Sequence, residues 1–364
     1  MLDHSASVGV RGQITYDYLK GLGFSQIDVT GCPSLALNGP GLPLREKQPL
    51  TPESKLCFTG SVSNPPDFKK FAVHCTERFP NTYFVPQFID DLRLMYLGIP
   101  HPDTADSRVL HPTNLDHPVF VEDKARFFIN LPSMFAFNRE MDFNYGTRIH
   151  GAIGNILCGV PSLLFPTDAR IRELAEYHNI PAIPASVVTP DTDLAALYDQ
   201  TDFRQVNNGH AERFWHLIDF LNENGIKTIY DDRTGTPARS LYDEKTAATS
   251  YAQPVHSMLV RPPEEIARRV DTAVRLQRKE IEDDSRLATQ LRDSQRKVTQ
   301  LQERNKKQDA QIQALKEERK ALKTELKATK KPLRRLAWYQ RTSTFGIGLA
   351  RLKKKLRRLL GKEK

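Results

Sequence analysis

The chain has 364 residues, 39% of them hydrophobic and 27% charged, with a formal net charge of +9. That length allows two domains with folded cores, although so much charge places part of the chain outside them. Of the 53 basic and 44 acidic residues, 13 and 1 respectively lie between Lys330 and Lys364, leaving 40 and 43 elsewhere, so the basicity belongs to the C-terminal tail and a nucleic-acid-binding globular surface is not expected.

The first elements in chain order are short. Ser7–Arg11 reads as a strand, Gln13–Leu22 as a helix with Ile14, Leu19 and Leu22 on one side, and Ile27–Thr30 as a second strand ending in Gly-Cys-Pro-Ser. The Pro/Gly-rich stretch from Leu35 to Glu53 reads as a linker. A second series follows: strand Leu56–Val62, helix Asp67–Phe79, strand Thr82–Pro86, helix Asp90–Leu97, strand Asp142–Tyr145, helix Arg148–Leu157, strand Pro161–Phe165 and helix Asp168–His178. Alternation at this spacing predicts an α/β fold with a parallel, doubly wound sheet. Such sheets take ligands where strand ends meet helix starts. A long helix is predicted from about Phe203 to Asn224, closed by Gly225.

Residues 226–262 read as a linker, 263–331 as a coiled coil and 332–364 as a basic amphipathic tail. Leu287, Leu291, Val298, Leu301, Ile312, Leu315, Leu322 and Leu326 share one heptad seam, interrupted by Asn305, Gln308 and Arg319. This predicts a homo-oligomer, with Pro332 ending the coil. In the tail, Trp338, Tyr339 and Phe345 lie among Leu and Ile between basic clusters, a mixture suited to an anionic membrane surface. No apolar run reaches the length of a membrane span, and MLDHSASVGVRG has no signal-peptide pattern. Cys32, Cys57, Cys75 and Cys158 form neither a CxxC pair nor a zinc-ligand spacing, which predicts reduced thiols, no metal and a cytoplasmic, membrane-peripheral protein.

The stretch Phe143–Phe165, FNYGTRIHGAIGNILCGVPSLLF, places Arg148 and His150 at the head of an otherwise apolar helix. Unpaired N–H groups and the helix dipole favour an anion there, a guanidinium adds a fork for carboxylate or phosphate, and an imidazole can move a proton near neutral pH. Gly151 permits close approach of a ligand or of the sheet. Spacing alone equally allows Arg148 to pair with an acid such as Asp142 and His150 to be structural. Asp168 is expected to cap its helix, and Arg170 and Glu173 to pair on its surface. Thr147, Gly151, Asp168 and Arg170 remain secondary cleft contacts. Cys32 is expected to be a buried turn thiol with no histidine near it, and His178 and His210 to be surface or packing residues.

Gly146-Thr147-Arg148-Ile149-His150-Gly151-Ala152, then Gly159-Val160-Pro161-Ser162 and Asp168-Ala169-Arg170-Ile171-Arg172-Glu173-Leu174, resemble the polysaccharide pyruvyl transferase family. Val8-Gly9-Val10-Arg11-Gly12 and Val29-Thr30-Gly31-Cys32-Pro33-Ser34-Leu35 agree with it. The resemblance covers about Ser7–Gly225 and implies a two-domain GT-B-like fold, with residues 1–50 supplying part of an N-terminal Rossmann-like domain and 51–225 the C-terminal one. Most of that N-terminal domain is expected to be missing, whether through the placement of Met1 or because a partner supplies it. The implied reaction moves pyruvate from phosphoenolpyruvate, the donor substrate, to a sugar as a ketal, without a cofactor. Arg11 and Arg148 would bind substrate, and His150 would be the acid/base. The acceptor would be a cell-wall, capsular or exopolysaccharide precursor. The alternatives are a GT-B sugar-nucleotide glycosyltransferase, or a non-catalytic transferase domain on a membrane-attached coiled-coil scaffold.

Overall fold

The computed structural model describes residues 5–101, 111–231, 233, 241–342 and 348–359. The chain forms two compact units, Met1–Gln277 and Arg278–Lys364. The first unit is α/β and its sheets are parallel. It opens with a βαβ unit: β1 (Val8–Val10), α1 (Gln13–Gly21) and β2 (Ile27–Val29), with Val8 in register with Ile27. Of the apolar side expected of α1, Ile14 and Leu22 are exposed and Leu19 is half-buried. A 3-10 turn, Pro33–Asn38, follows.

The main sheet is built from β3 (Leu56–Thr59), β4 (Thr82–Phe84), β5 (Phe143–Gly146) and β6 (Ser162–Leu164), in spatial order β4-β3-β5-β6. Its helices are α2 (Pro66–Arg78), α3 (Ile89–Leu97), α4 (Pro118–Val121), α5 (Leu131–Asn138), α6 (Ile149–Leu157) and α7 (Ala169–Tyr177). The period of two sorts the strand residues between the faces. Leu56, Phe58, Phe143, Tyr145 and Leu163 meet Phe68, Phe71 and Phe165 in one core cluster, while Leu164 joins Ile149, Ile153 and Leu174 in another. From β3 the chain runs to β4 on one side, and it returns to β5 on the other, so the order reverses at the β3–β5 seam. Ligand crevices in such sheets open at that point, beyond the strands' carboxyl ends.

The predicted 203–224 helix is two elements, a 3-10 turn at Phe203–Asn207 and α9 (His210–Glu223), which follows α8 (Leu194–Gln200). Gly209 stands between them at φ +69°, a left-handed backbone that cannot continue a right-handed helix. The 35–53 stretch is irregular, as expected, but is strapped to the core. Arg45 Nε donates to the Gly159 carbonyl, and Lys47 Nζ to the carbonyls of Tyr198, Asp199 and Thr201. After α9, Tyr230 packs edge-on against Phe214 at 4.9 Å, and Val255 exchanges two backbone hydrogen bonds with Phe127. Between them lies α10 (Leu241–Thr246).

A single helix, α11, runs Pro263–Thr342. Its first turns belong to the first unit, where Arg269 stacks on Tyr96 at 4.0 Å and Ala273 is buried. Beyond them the heptad residues are all exposed. Pro332 does not end the helix, whose backbone continues ten residues past it. Proline removes the N–H that would reach residue 328 and crowds that residue's carbonyl, but the position is exposed and water can satisfy the orphaned oxygen. A last helix, α12 (Gly348–Leu359), carries Leu352 and Leu356 exposed among Lys353, Lys354, Lys355 and Arg357. The rest of the predicted tail, including Phe345, lies outside the described residues. No helix among the described residues is long and apolar enough to cross a membrane.

Candidate functional site

The site starts with two glycines. Gly146 ends β5 at φ +151°, and a Cβ there would lie 2.2 Å from the Thr59 carbonyl oxygen. A Cβ on Gly151 would lie 2.6 Å from Thr59 Cγ2. Only hydrogen at both positions lets the end of β3 touch the start of α6. The Thr59 carbonyl then accepts from Thr147 N at 2.9 Å and from Arg148 N at 3.3 Å. Thr147 is buried and donates its hydroxyl to Asn64 Oδ1 at 2.8 Å, so it locks the loop and is not a cleft contact.

Arg148 occupies the N-cap of α6 and is half-buried. Its guanidinium lies over the Phe88 ring at 4.4 Å. It makes no pair with Asp142, whose carboxylate instead accepts from Lys55 N. Its electrostatic neighbours are Arg170, Asp168 and Asp91, and burial, reinforced by Arg170, pulls it below the usual arginine range. Asp168 is the expected cap, accepting from Ile171 N at 2.8 Å, and pairs weakly with Arg170 at 3.7 Å.

Asp91, which the sequence reading passed over, sits in the first turn of α3 and is 2% exposed. One carboxylate oxygen accepts from Phe88 N at 3.4 Å. Burial lifts its carboxyl to about 7, opposed by the Phe88 N–H, helped by Asp90 and opposed again by Arg148. Three buried polar atoms in this crevice lack partners among the described residues: Thr59 Oγ1, Asp91 Oδ1 and Arg148 Nε. Buried polar atoms are rarely left unpaired, and a cluster of them where a parallel sheet opens its crevice marks a place for a ligand. Three helix N-termini, those of α3, α6 and α7, supply residues to it, and they favour an anion.

Arg11 is exposed at the carboxyl end of β1. It lines a concavity of about 520 Å³ with Ile14, Thr15, Ala169, Arg170 and Glu173. Arg170 thus links the two predicted arginines, sharing a hollow with Arg11 and a field with Arg148. Glu173 does not pair with Arg170. It is buried, and accepts from Thr15 N at 3.0 Å and Thr15 Oγ1 at 2.8 Å. The βαβ unit needs that anchor on α7, and Tyr177 adds a second by donating to the Val29 carbonyl at 2.9 Å.

His150 is exposed and lines a separate cavity of about 770 Å³, walled mostly by apolar groups such as Leu37, Val85, Phe128, Ile153 and Phe214. The expectation that Cys32 has no histidine near it is wrong, because the fold brings His178 to its backbone N–H. His178 and His210 are buried packing residues, not surface ones. His178 Nε2 accepts from Cys32 N at 2.8 Å, and a ring nitrogen of His210 bonds the Gly39 carbonyl at 3.1 Å.

Residues 1–169 match the polysaccharide pyruvyl transferase family. The matched domain contains Arg11, Asp91, Thr147, Arg148, His150, Gly151 and Asp168, and Arg170 lies just beyond it. Two solved glycosyltransferases are similar over part of their length. The glycotransferase of kitacinnamycin is 18% identical, covering 50% of this chain and 43% of its own, with a TM-score of 0.25. SnogD from Streptomyces nogalater is 15% identical, covering 58% of each chain, with a TM-score of 0.23. The chain therefore spans about half the length of these two enzymes. No curated protein matches it.

Proposed function

We propose that this chain is a pyruvyl transferase that moves the pyruvate unit of phosphoenolpyruvate onto a sugar of a cell-wall, capsular or exopolysaccharide precursor as a ketal. The carrying observation is the trio of unpaired buried atoms, Thr59 Oγ1, Asp91 Oδ1 and Arg148 Nε, at the anion-favouring seam of β3 and β5. Phosphoenolpyruvate carries a carboxylate and a phosphate. Arg148 takes one anionic group, and Arg170 with Arg11 takes the other. Asp91 balances Arg148, and its carboxyl near neutrality lets the crevice carry a proton more or less as the anion enters.

His150 is the acid/base. A proton delivered to the enol carbon builds positive charge on C2, which the sugar hydroxyls attack as the phosphate leaves. One hydroxyl proton restores the acid and the other departs with phosphate, so the enzyme ends as it began. The helix α12 holds the enzyme on the anionic inner face of the cell membrane, where acceptors on lipid carriers would be presented.

The test is phosphoenolpyruvate binding by calorimetry, with a nucleotide sugar as competitor. Wild type binds phosphoenolpyruvate, and Arg148→Ala weakens binding by about 100-fold, as expected for loss of a hydrogen-bonded ion pair worth about 3 kcal/mol. Preferential binding of the nucleotide sugar would replace this proposal with a sugar-nucleotide glycosyltransferase. Binding of neither would leave a non-catalytic domain.

A further inference from the structure

Arg148 is held in place without being paired. Of its acidic neighbours, Asp168 caps α7 and lies 3.7 Å from Arg170, while Asp91 accepts from Phe88 N. Neither forms an ion pair with Arg148 among the described residues, and Arg148 Nε is buried without a partner. What holds the guanidinium is a ring: it lies 4.4 Å from the Phe88 centroid.

The sheet brings these two side chains together. Phe88 follows β4 and is the N-cap of α3, its N–H tied down by Asp91 at 3.4 Å. Arg148 follows β5 and is the N-cap of α6. In the order β4-β3-β5 the two caps come from the strands that flank β3, whose last residue, Thr59, carries another unpaired buried atom. Phe88 is 37% exposed and belongs to none of the core clusters, so core packing does not account for an aromatic ring there.

Six arginines lie over aromatic rings among the described residues. Five of them, Arg78, Arg126, Arg213, Arg233 and Arg269, also donate to a carboxylate or a carbonyl. Arg148 has the ring without the acceptor. The difference matters chemically. A carboxylate grips a guanidinium by its N–H edge and uses the donors a ligand would need. A ring grips it by the face, through attraction of the cation to the π-electrons, and leaves the in-plane donors open. It also keeps water off that face, which strengthens the ion pair made with a ligand.

We propose that Phe88 is the positioning residue of Arg148: its ring fixes the guanidinium by the face and leaves the edge donors to the anionic group of the substrate. That this anion is phosphoenolpyruvate rests on the pyruvyl-transfer reading; the stack itself does not. Phe88 makes and breaks no covalent bond.

The experiment titrates phosphoenolpyruvate, and separately inorganic phosphate, into the full chain by calorimetry. Position 88 carries phenylalanine or its mono-, di- or trifluoro analogue, incorporated at that codon. Fluorine withdraws π-density and nearly preserves the ring's shape, so a merely structural ring leaves affinity unchanged. The expected result is a stepwise loss that reaches about tenfold with the trifluoro ring. Phe88→Leu loses as much, and Phe88→Trp restores binding. Equal affinity across the fluorinated series overturns the proposal.

A double-mutant cycle, Phe88→Leu against Arg148→Met, reads the stack with no ligand present. Urea unfolding followed by Trp215 fluorescence in a Trp338→Phe background is expected to show coupling of about fivefold in the unfolding constant. Strict additivity overturns the stack. Phosphate binding that follows the fluorine series in a chain indifferent to phosphoenolpyruvate upholds Phe88 and overturns the function proposed above. Binding of neither anion overturns both.

Discussion

Replacing Asp91 by asparagine isolates the electrostatic strain of the anion crevice. The carboxyl is 2% exposed, one of its oxygens has no partner, and it titrates at about 7 instead of near 3.8. The folded carboxyl therefore holds its proton more tightly than the unfolded one. Below pH 3.8 both states are protonated and nothing is lost. Between 3.8 and 7 the native state binds the extra proton, so stability falls as pH rises. Above 7 the full cost is present: about three pH units at about 1.4 kcal/mol each, or about 4 kcal/mol. Asparagine keeps an acceptor for Phe88 N, removes the titration, and introduces a buried amide donor with a cost that does not depend on pH. The informative quantity is thus the difference between two conditions. Relative to wild type, Asp91→Asn gains about 3 kcal/mol on moving from about pH 5 to about pH 8. Urea unfolding followed by Trp215 fluorescence in a Trp338→Phe background reads it. A stability difference that stays constant between the two conditions would refute the argument, because Asp91 would then be an ordinary capping carboxylate. Phosphoenolpyruvate should bind the variant with an altered pH dependence, since the proton exchanged by Asp91 is gone.

Gly146→Ala forces a Cβ to within 2.2 Å of a backbone carbonyl at a left-handed φ, and is expected to cost about 3 kcal/mol or more, read as loss of the cooperative unfolding transition. Deleting residues 343–364 removes α12 and is expected to abolish sedimentation with phosphatidylglycerol vesicles. The intact chain binds them at low salt, releases them as salt screens its cations, and ignores neutral vesicles. The exposed seam Leu287–Leu326 predicts an oligomer in sedimentation equilibrium, and Leu301→Lys with Ile312→Lys should return it to a monomer without changing phosphoenolpyruvate binding.

The sequence reveals what is local. Four short β-rich runs, each leading towards a helical pattern, are enough to anticipate the main sheet. Gly-Thr-Arg at the end of Phe143–Gly146 is enough to place a guanidinium at a helix start. What escapes is the set of neighbours brought in by the fold. Asp91 looks like one acid in a routine Asp-Asp helix start until α3 sets it beside Arg148. Glu173 and Arg170 look like an i,i+3 surface pair until the βαβ unit claims Glu173 through Thr15. Cys32 has no histidine within its own stretch, and only the fold brings the ring of His178, 146 residues on, to its backbone N–H.

The Arg-x-His pair shows how local spacing can mislead. Two residues along a helix turn a side chain by about 200°, so Arg148 and His150 do not form a single fork. Arg148 turns to Phe88, Asp91 and Arg170, while His150 turns to the apolar cavity. The two side chains therefore face different places, Arg148 the crevice at the β3–β5 seam and His150 the apolar cavity. For pyruvyl transfer this division is useful. The arginines can hold carboxylate and phosphate throughout the reaction, leaving the imidazole uncommitted to either anion and free to meet the carbon and hydroxyl groups whose protons must move.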